Sequence, residues 1–268
     1  MAYLETSDGP RVHYAHHHAK DGRTMVFIHG WGMGGEYWNS AVEALYAAGH
    51  GAIVVDHRAC GRSDRDFADV SIEAIAGDVV DIVGKCGVGN VVLNGWSLGG
   101  AVAVEAARRL GGGVSGLVLT CGATPRYTQS DDFPHGGKPE DVSAIAGAIT
   151  ADRAAFFRAL AQGAAAEGAD QALIDWFERG FIASGPMAST TLMDLVTLDQ
   201  REVLSGLDVP VLSIGGAKDT IADPAIAGYA ANCAANGTLL TMDTGHSPHL
   251  EKPAEYHAAI IEFMESLS

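Results

Sequence analysis

Residues 91–100 read VVLNGWSLGG, an apolar run leading to a serine set between glycines and then to small residues suited to a helix start. Alone, Gly95-x-Ser97-x-Gly99 decides little. With fifteen serines and 34 glycines in 268 residues, about one chain in four or five of this composition carries the pattern by chance. Context decides instead. A strand, a sharp turn and a helix are the setting that lifts a serine onto a strained elbow. Gly95 and Gly99 remove side chains that such a turn would crush, and Gly100 lets the helix approach the sheet. Leu98 then offers its backbone N–H at the positive end of the new helix, where an oxyanion would lie.

On either side of this stretch, short β-rich runs alternate with helical patterns. The runs at 24–28 (TMVFI), 51–55 (GAIVV), 90–94 (NVVLN), 116–120 (GLVLT), 210–214 (PVLSI) and 238–242 (TLLTM) are almost wholly apolar. That is expected of strands covered on both faces of a parallel sheet. Helical patterns occupy 71–83, 101–110 and 224–235, and a last helix over 254–267 follows Pro253. The fold class expected is α/β, a doubly wound, mostly parallel sheet. Between 124 and 206 no strand is evident, and 142–149, 153–166, 171–183 and 189–197 read as alanine-rich helices. This predicts a helical cap over 125–205 inserted in a core made of 1–124 and 206–268, rather than a second independent domain.

A serine hydroxyl needs a base, and the ends of the strands are where to seek it. Of eleven histidines, His246 in MDTGHSPHLEKP, just after the last strand, is the best placed; His249 is its rival. Asp219 in PVLSIGGAKDTIADP follows the penultimate strand and suits the orienting carboxylate, with Asp223 as the alternative. The loop after GLVLT, CGATPR, offers no acid. The chain order is thus Ser97, Asp219, His246. The loop HGWGMGG, 29–35, is free to curl back toward Ser97, and the Trp31 N–H is expected to supply the second oxyanion donor. The indoles of Trp31 and Trp96 are expected to wall the substrate pocket.

Composition narrows the partners. There are 33 acidic and 17 basic residues, a formal net charge of −16, which disfavours nucleic acid and anionic membrane. No stretch has the length of an apolar membrane span, and the start lacks a signal-peptide pattern. Cys60, Cys86, Cys121 and Cys233 lie far apart with no C-x-x-C, so reduced thiols in a cytoplasm are expected. His13 and the run His16, His17, His18 are expected to be solvated, and the run has no acidic or cysteine partner nearby for a metal.

HGWG, DHRACGRSD, GWSLGG, GGAKD and GHSPHLEKP together resemble the α/β-hydrolase superfamily over essentially the whole chain. HGWGMGGEYW, GWSLGG and GATPRYTQSDDFPHG look most like the carboxylesterases that cleave pimeloyl-carrier-protein methyl ester. The KPEDVSAI…DRAAFF pattern is similar to the cofactor-free haloperoxidase/perhydrolase esterases. One departure is Ala59, where family members usually carry glycine, so that loop is expected to differ in shape. The resemblance implies a serine carboxylesterase acting on a small-to-medium neutral ester or lactone, without metal or organic cofactor. The alternatives are a pimeloyl-carrier-protein methyl ester esterase, a perhydrolase/haloperoxidase-type esterase, a C–C bond hydrolase and a low-turnover ligand receptor. A carrier-protein partner is disfavoured by charge. From 125 to 205 six basic residues (Arg126, Lys138, Arg153, Arg158, Arg179, Arg201) face twelve acidic ones, and carrier proteins are themselves acidic.

Overall fold

A computed structural model describes residues 2–267. The strands are β1 (Ala2–Glu5), β2 (Arg11–His17), β3 (Thr24–Ile28), β4 (Gly51–Val55), β5 (Val91–Trp96), β6 (Val114–Thr120), β7 (Pro210–Gly216) and β8 (Asn236–Met242). They form one sheet in the order β1-β2-β4-β3-β5-β6-β7-β8, antiparallel where β2 meets β1 and β4 and parallel elsewhere. Parallel neighbours need crossovers, and helices supply them. α1 (Asn39–Ala47) joins β3 to β4, α2 (Ile72–Cys86) joins β4 to β5, and α3 (Leu98–Leu110) joins β5 to β6. Between β6 and β7 lie α4 (Pro139–Ala151), α5 (Arg153–Gly163), α6 (Gln171–Ala183), a 3₁₀ stretch (Pro186–Met193), α7 (Asp194–Thr197) and α8 (Arg201–Ser205). α9 (Pro224–Cys233) leads to β8, and α10 (Pro248–Glu251) and α11 (Pro253–Ser266) close the chain.

Every residue of β3, β4 and β5 is buried, which requires cover on both sheet faces. α1 packs on α11, while α2, α3, α8 and α9 pack in succession. Local chemistry sets the helix ends. Ser71 Oγ accepts the Ala74 N–H at 3.1 Å to start α2, and Gly87, at φ 66°, ends it in the left-handed region. Ile72, Ile75, Ala76, Val79, Ile82 and Val83 are the buried stripe of that helix. Among the described residues no helix is long and apolar enough to cross a membrane.

Several expectations need correction. The run at 238–242 lengthens to β8 and lies at the sheet edge rather than under cover, with Leu239 47% exposed; among the described residues β7 is the one strand beside it. β1, β2 and α1 have no counterpart in the sequence reading. His13 is buried in β2, not solvated, and its Nδ1 lies 3.0 Å from Asp56 Oδ2; His16 is half-buried, and His17 and His18 are exposed. Between β6 and β7 the helix expected at 142–149 gains a turn, that at 153–166 stops at Gly163, and that at 189–197 is mostly 3₁₀. This connection is fastened to the sheet layers by Tyr37 Oη donating to Trp176 O (2.8 Å), Thr191 Oγ1 to Val70 O (2.7 Å) and Gln200 Nε2 to Ala101 O (2.9 Å).

Candidate active site

Ser97 stands between β5 and α3 at φ 55° and ψ −122°, a conformation that L-residues rarely adopt. The surrounding backbone holds it there. Its N–H donates to Thr120 O (2.9 Å), and its carbonyl accepts from Gly100 and Ala123 N–H (both 2.8 Å). The flanking glycines are dictated by space. A Cβ on Gly95 would enter the Gly99 carbonyl, and one on Gly99 would enter the carbonyl oxygens of Ile28 and His29. One on Gly100 would lie 2.9 Å from the Gly122 Cα. Leu98 is the first residue of α3, so its N–H has no partner within the helix.

His246 lies in the loop between β8 and α10, and its Nδ1 is 2.7 Å from Asp219 Oδ2. Asp219 Oδ1 accepts the N–H groups of Ile221 (2.8 Å) and Ala222 (3.0 Å). Burial pushes the Asp219 carboxyl upward, but His246 and those two N–H groups outweigh it, so its pKa falls below the ordinary value of 3.8. An ionised carboxylate only accepts hydrogen bonds, so Nδ1 carries a proton, and in the neutral imidazole this leaves the lone pair on Nε2. Such an imidazole can take a proton at Nε2 while Asp219 stabilises the cation that forms.

Ser97, Leu98, Trp31, Trp96 and His246 all line one narrow cavity of about 70 Å³. Met33, Phe156, Leu160, Phe181 and Ile221 complete much of its wall. Serine, histidine and the tyrosine Tyr127 are its polar side chains, and the Tyr127 hydroxyl is engaged by Ile221 O at 2.7 Å. The Trp31 indole is fixed by donating to Ala188 O (2.6 Å) and lies beside Phe181, with ring centroids 5.8 Å apart. The rival residues are employed elsewhere. His249 is buried between Trp38 and Trp96, and Asp223 accepts the N–H groups of Ala225 (2.9 Å) and Gly136 (3.0 Å) at the start of α9. Ala59 adopts φ 60° and is buried, taking a glycine-type conformation with a methyl group attached.

Three further features shape the site, of which only the place of Cys121 near the active edge of the sheet was legible in the sequence. Trp96 Nε1 donates to His246 O at 2.8 Å, joining the serine turn to the histidine loop. His29 Nδ1 lies 2.7 Å from Gly30 O and its Nε2 accepts the His57 N–H at 2.9 Å, which fixes the path of the 29–35 loop. Cys121, at φ 43° after β6, is buried beside Asp219 and His246; its Sγ and one donor atom of each lie within 4.8 Å of one another. This is the one group of three potential metal-donor side chains among the described residues, and two of them are committed to each other. Burial, and then the Asp219 charge, push the Cys121 thiol well above its ordinary pKa, so it is a protonated, weakly nucleophilic neighbour.

The alpha/beta hydrolase family pattern matches residues 25–259. The non-heme chloroperoxidase of Streptomyces lividans is 30% identical over 252 residues, covering 91% of each chain. The pimeloyl-[acyl-carrier protein] methyl ester esterase of Sodalis glossinidius (strain morsitans) is 30% identical over 253 residues, 91% of this chain and 94% of that one. An esterase from Exiguobacterium antarcticum shares the fold with a TM-score of 0.93 at 23% identity, covering 98% of this chain and 99% of its own.

Proposed function

The chain belongs to the alpha/beta hydrolase family and is a hydrolase; from that premise we propose that it is a serine carboxylesterase for small-to-medium neutral, apolar esters or lactones. Ser97 is the nucleophile, His246 the general base and Asp219 its orienting carboxylate. His246 Nε2 takes the Ser97 proton as Oγ attacks the ester carbonyl, and then returns it to the departing alcohol. The oxyanion is held by the N–H groups of Trp31 and Leu98. Water, activated by His246, releases the acid from the acyl-enzyme and restores Ser97. The segment 125–205 acts as the cap that shapes the pocket.

The observation that carries this reading is a hydrogen-bonded His246–Asp219 pair and a strained Ser97 opening onto the same apolar cavity. Apolar walls with few polar groups favour neutral substrates. The charge pattern favours a free small molecule over a carrier-bound one. Arg126, Arg158 and Arg201 are tied to Asp199, Glu178 and Asp132, and Arg153 donates to Ser184, so most cations of the cap are already engaged. All four cysteines are free thiols, in keeping with the reducing cytoplasm that we assign as the compartment.

The test is kcat/KM across p-nitrophenyl esters from acetate to decanoate. A clear optimum at short or medium chains supports the proposal. Negligible turnover across the series overturns it.

A further inference from the structure

Glu251 ends the single turn of α10, directly behind the histidine loop. Its carboxylate gathers three backbone N–H groups. Oε2 accepts from Gly245 at 2.9 Å and from Ala166 at 3.0 Å, and Oε1 accepts from Ser247 at 3.1 Å. Gly245 and Ser247 flank His246 in the chain, whereas Ala166 follows α5. One anion therefore fastens both sides of the histidine to the cap through charge-assisted bonds, the stronger kind.

The same end of α5 is fastened twice more. Ser247 Oγ donates to Ala164 O at 3.1 Å, and Thr220, next to Asp219, donates its Oγ1 to Gly163 O at 3.1 Å. The approach is close enough that a Cβ on Gly245 would meet the Ala166 nitrogen at 2.5 Å. α5 is also a wall of the cavity, through Phe156 and Leu160, with Ala164 just beyond its end. A substrate chain packed on those side chains presses on the helix whose end is bonded to both loops of the His246–Asp219 pair.

We propose that Glu251 is a positioning residue that couples α5 to His246, so that contact between the substrate chain and Phe156 or Leu160 sets how well the base is aimed. This rests on the reading of His246 as the base. The coupling makes chain length act on kcat and not on KM alone. Misplacing a base by about 1 Å costs up to about 10²-fold in rate.

The experiment measures kcat and KM separately for p-nitrophenyl acetate, butyrate and hexanoate with wild type, Glu251→Ala, Glu251→Gln, Ser247→Ala and His246→Ala, each checked for folding by circular dichroism. Glu251→Ala is expected to lower kcat for the best ester by about tenfold to 10²-fold, to leave KM within about threefold, and to flatten the rise of kcat with chain length. Glu251→Gln keeps one oxygen for the Gly245 and Ala166 donors and restores part of both effects. Ser247→Ala, which removes only the tie to Ala164, flattens the rise more weakly and serves if Glu251→Ala does not fold. The coupling is overturned if folded Glu251 or Ser247 variants keep the wild-type dependence of kcat on chain length, whatever their absolute rates. Full activity in His246→Ala would instead sink the reading of the base, an outcome separate from the first.

Discussion

At Ser97 the backbone is held at a positive φ by three hydrogen bonds, and a strained residue of this kind costs on the order of 1–3 kcal/mol. A glycine adopts the same backbone conformation without that cost. Ser97→Gly should therefore raise stability by about 1 kcal/mol, read as a higher urea midpoint, while removing esterase activity. A lower midpoint would mean that the turn is unstrained. Asp219 gives a second test at this scale. Its folded pKa lies below 3.8, so its contribution to stability is present above that pH and is lost as pH falls through the lower native value. Asp219→Asn should show a shallower loss of stability below about pH 4 than wild type, together with a fall in kcat on the order of 10⁴ from the wrong imidazole tautomer. Parallel acid-unfolding curves for the two proteins would contradict this.

Among the elements, the β5–turn–α3 unit depends on backbone approaching backbone. A methyl at Gly99 meets two carbonyl oxygens that belong to the end of β3 and the loop after it, and neither can move without disturbing the sheet. Gly99→Ala is expected to lower stability by more than about 2 kcal/mol in denaturant unfolding, and a change below about 0.5 kcal/mol would show that the loop is looser than this. The same unit was legible in the sequence because its strand is apolar throughout and its glycines announce the turn. β3 to β7 were legible for the same reason, each within about two residues. β1 and β2 were not, since they are short or histidine-rich and lie toward an edge of the sheet. α1 was hidden behind the glycine-rich 29–35 loop. In the site, residue types and loop positions pointed to Ser97, Asp219 and His246. The bonds from Trp96 to His246 and from Glu251 to Ala166 span 150 and 85 residues and leave no local pattern to read.

For the whole molecule, a net charge of −16 surrounds a cavity whose named walls carry no cation. A substrate bearing a carboxylate would lose hydration on entry and gain no counter-charge. Neutral butyrate esters should thus exceed succinate half-esters of the same alcohol in kcat/KM by at least about 10²-fold, a cost of at least about 2.7 kcal/mol. Equal rates would point to a cation recruited from the segment between β6 and β7, with Lys138 and Arg179 the first to examine. An acidic acyl carrier protein should show no saturable binding at low ionic strength, where repulsion between like charges is least screened. Tight binding under those conditions would show that charge does not govern partner choice.

If Ser97 is the nucleophile, an acyl group rests on it during turnover. Mixing the protein with p-nitrophenyl butyrate, quenching in acid within the first turnovers and mapping the mass gain by peptide fragmentation tests it directly. One butyryl group is expected, on Ser97, and none in Ser97→Ala. Turnover without any adduct, or with the group on a cysteine or histidine in place of Ser97, would contradict it.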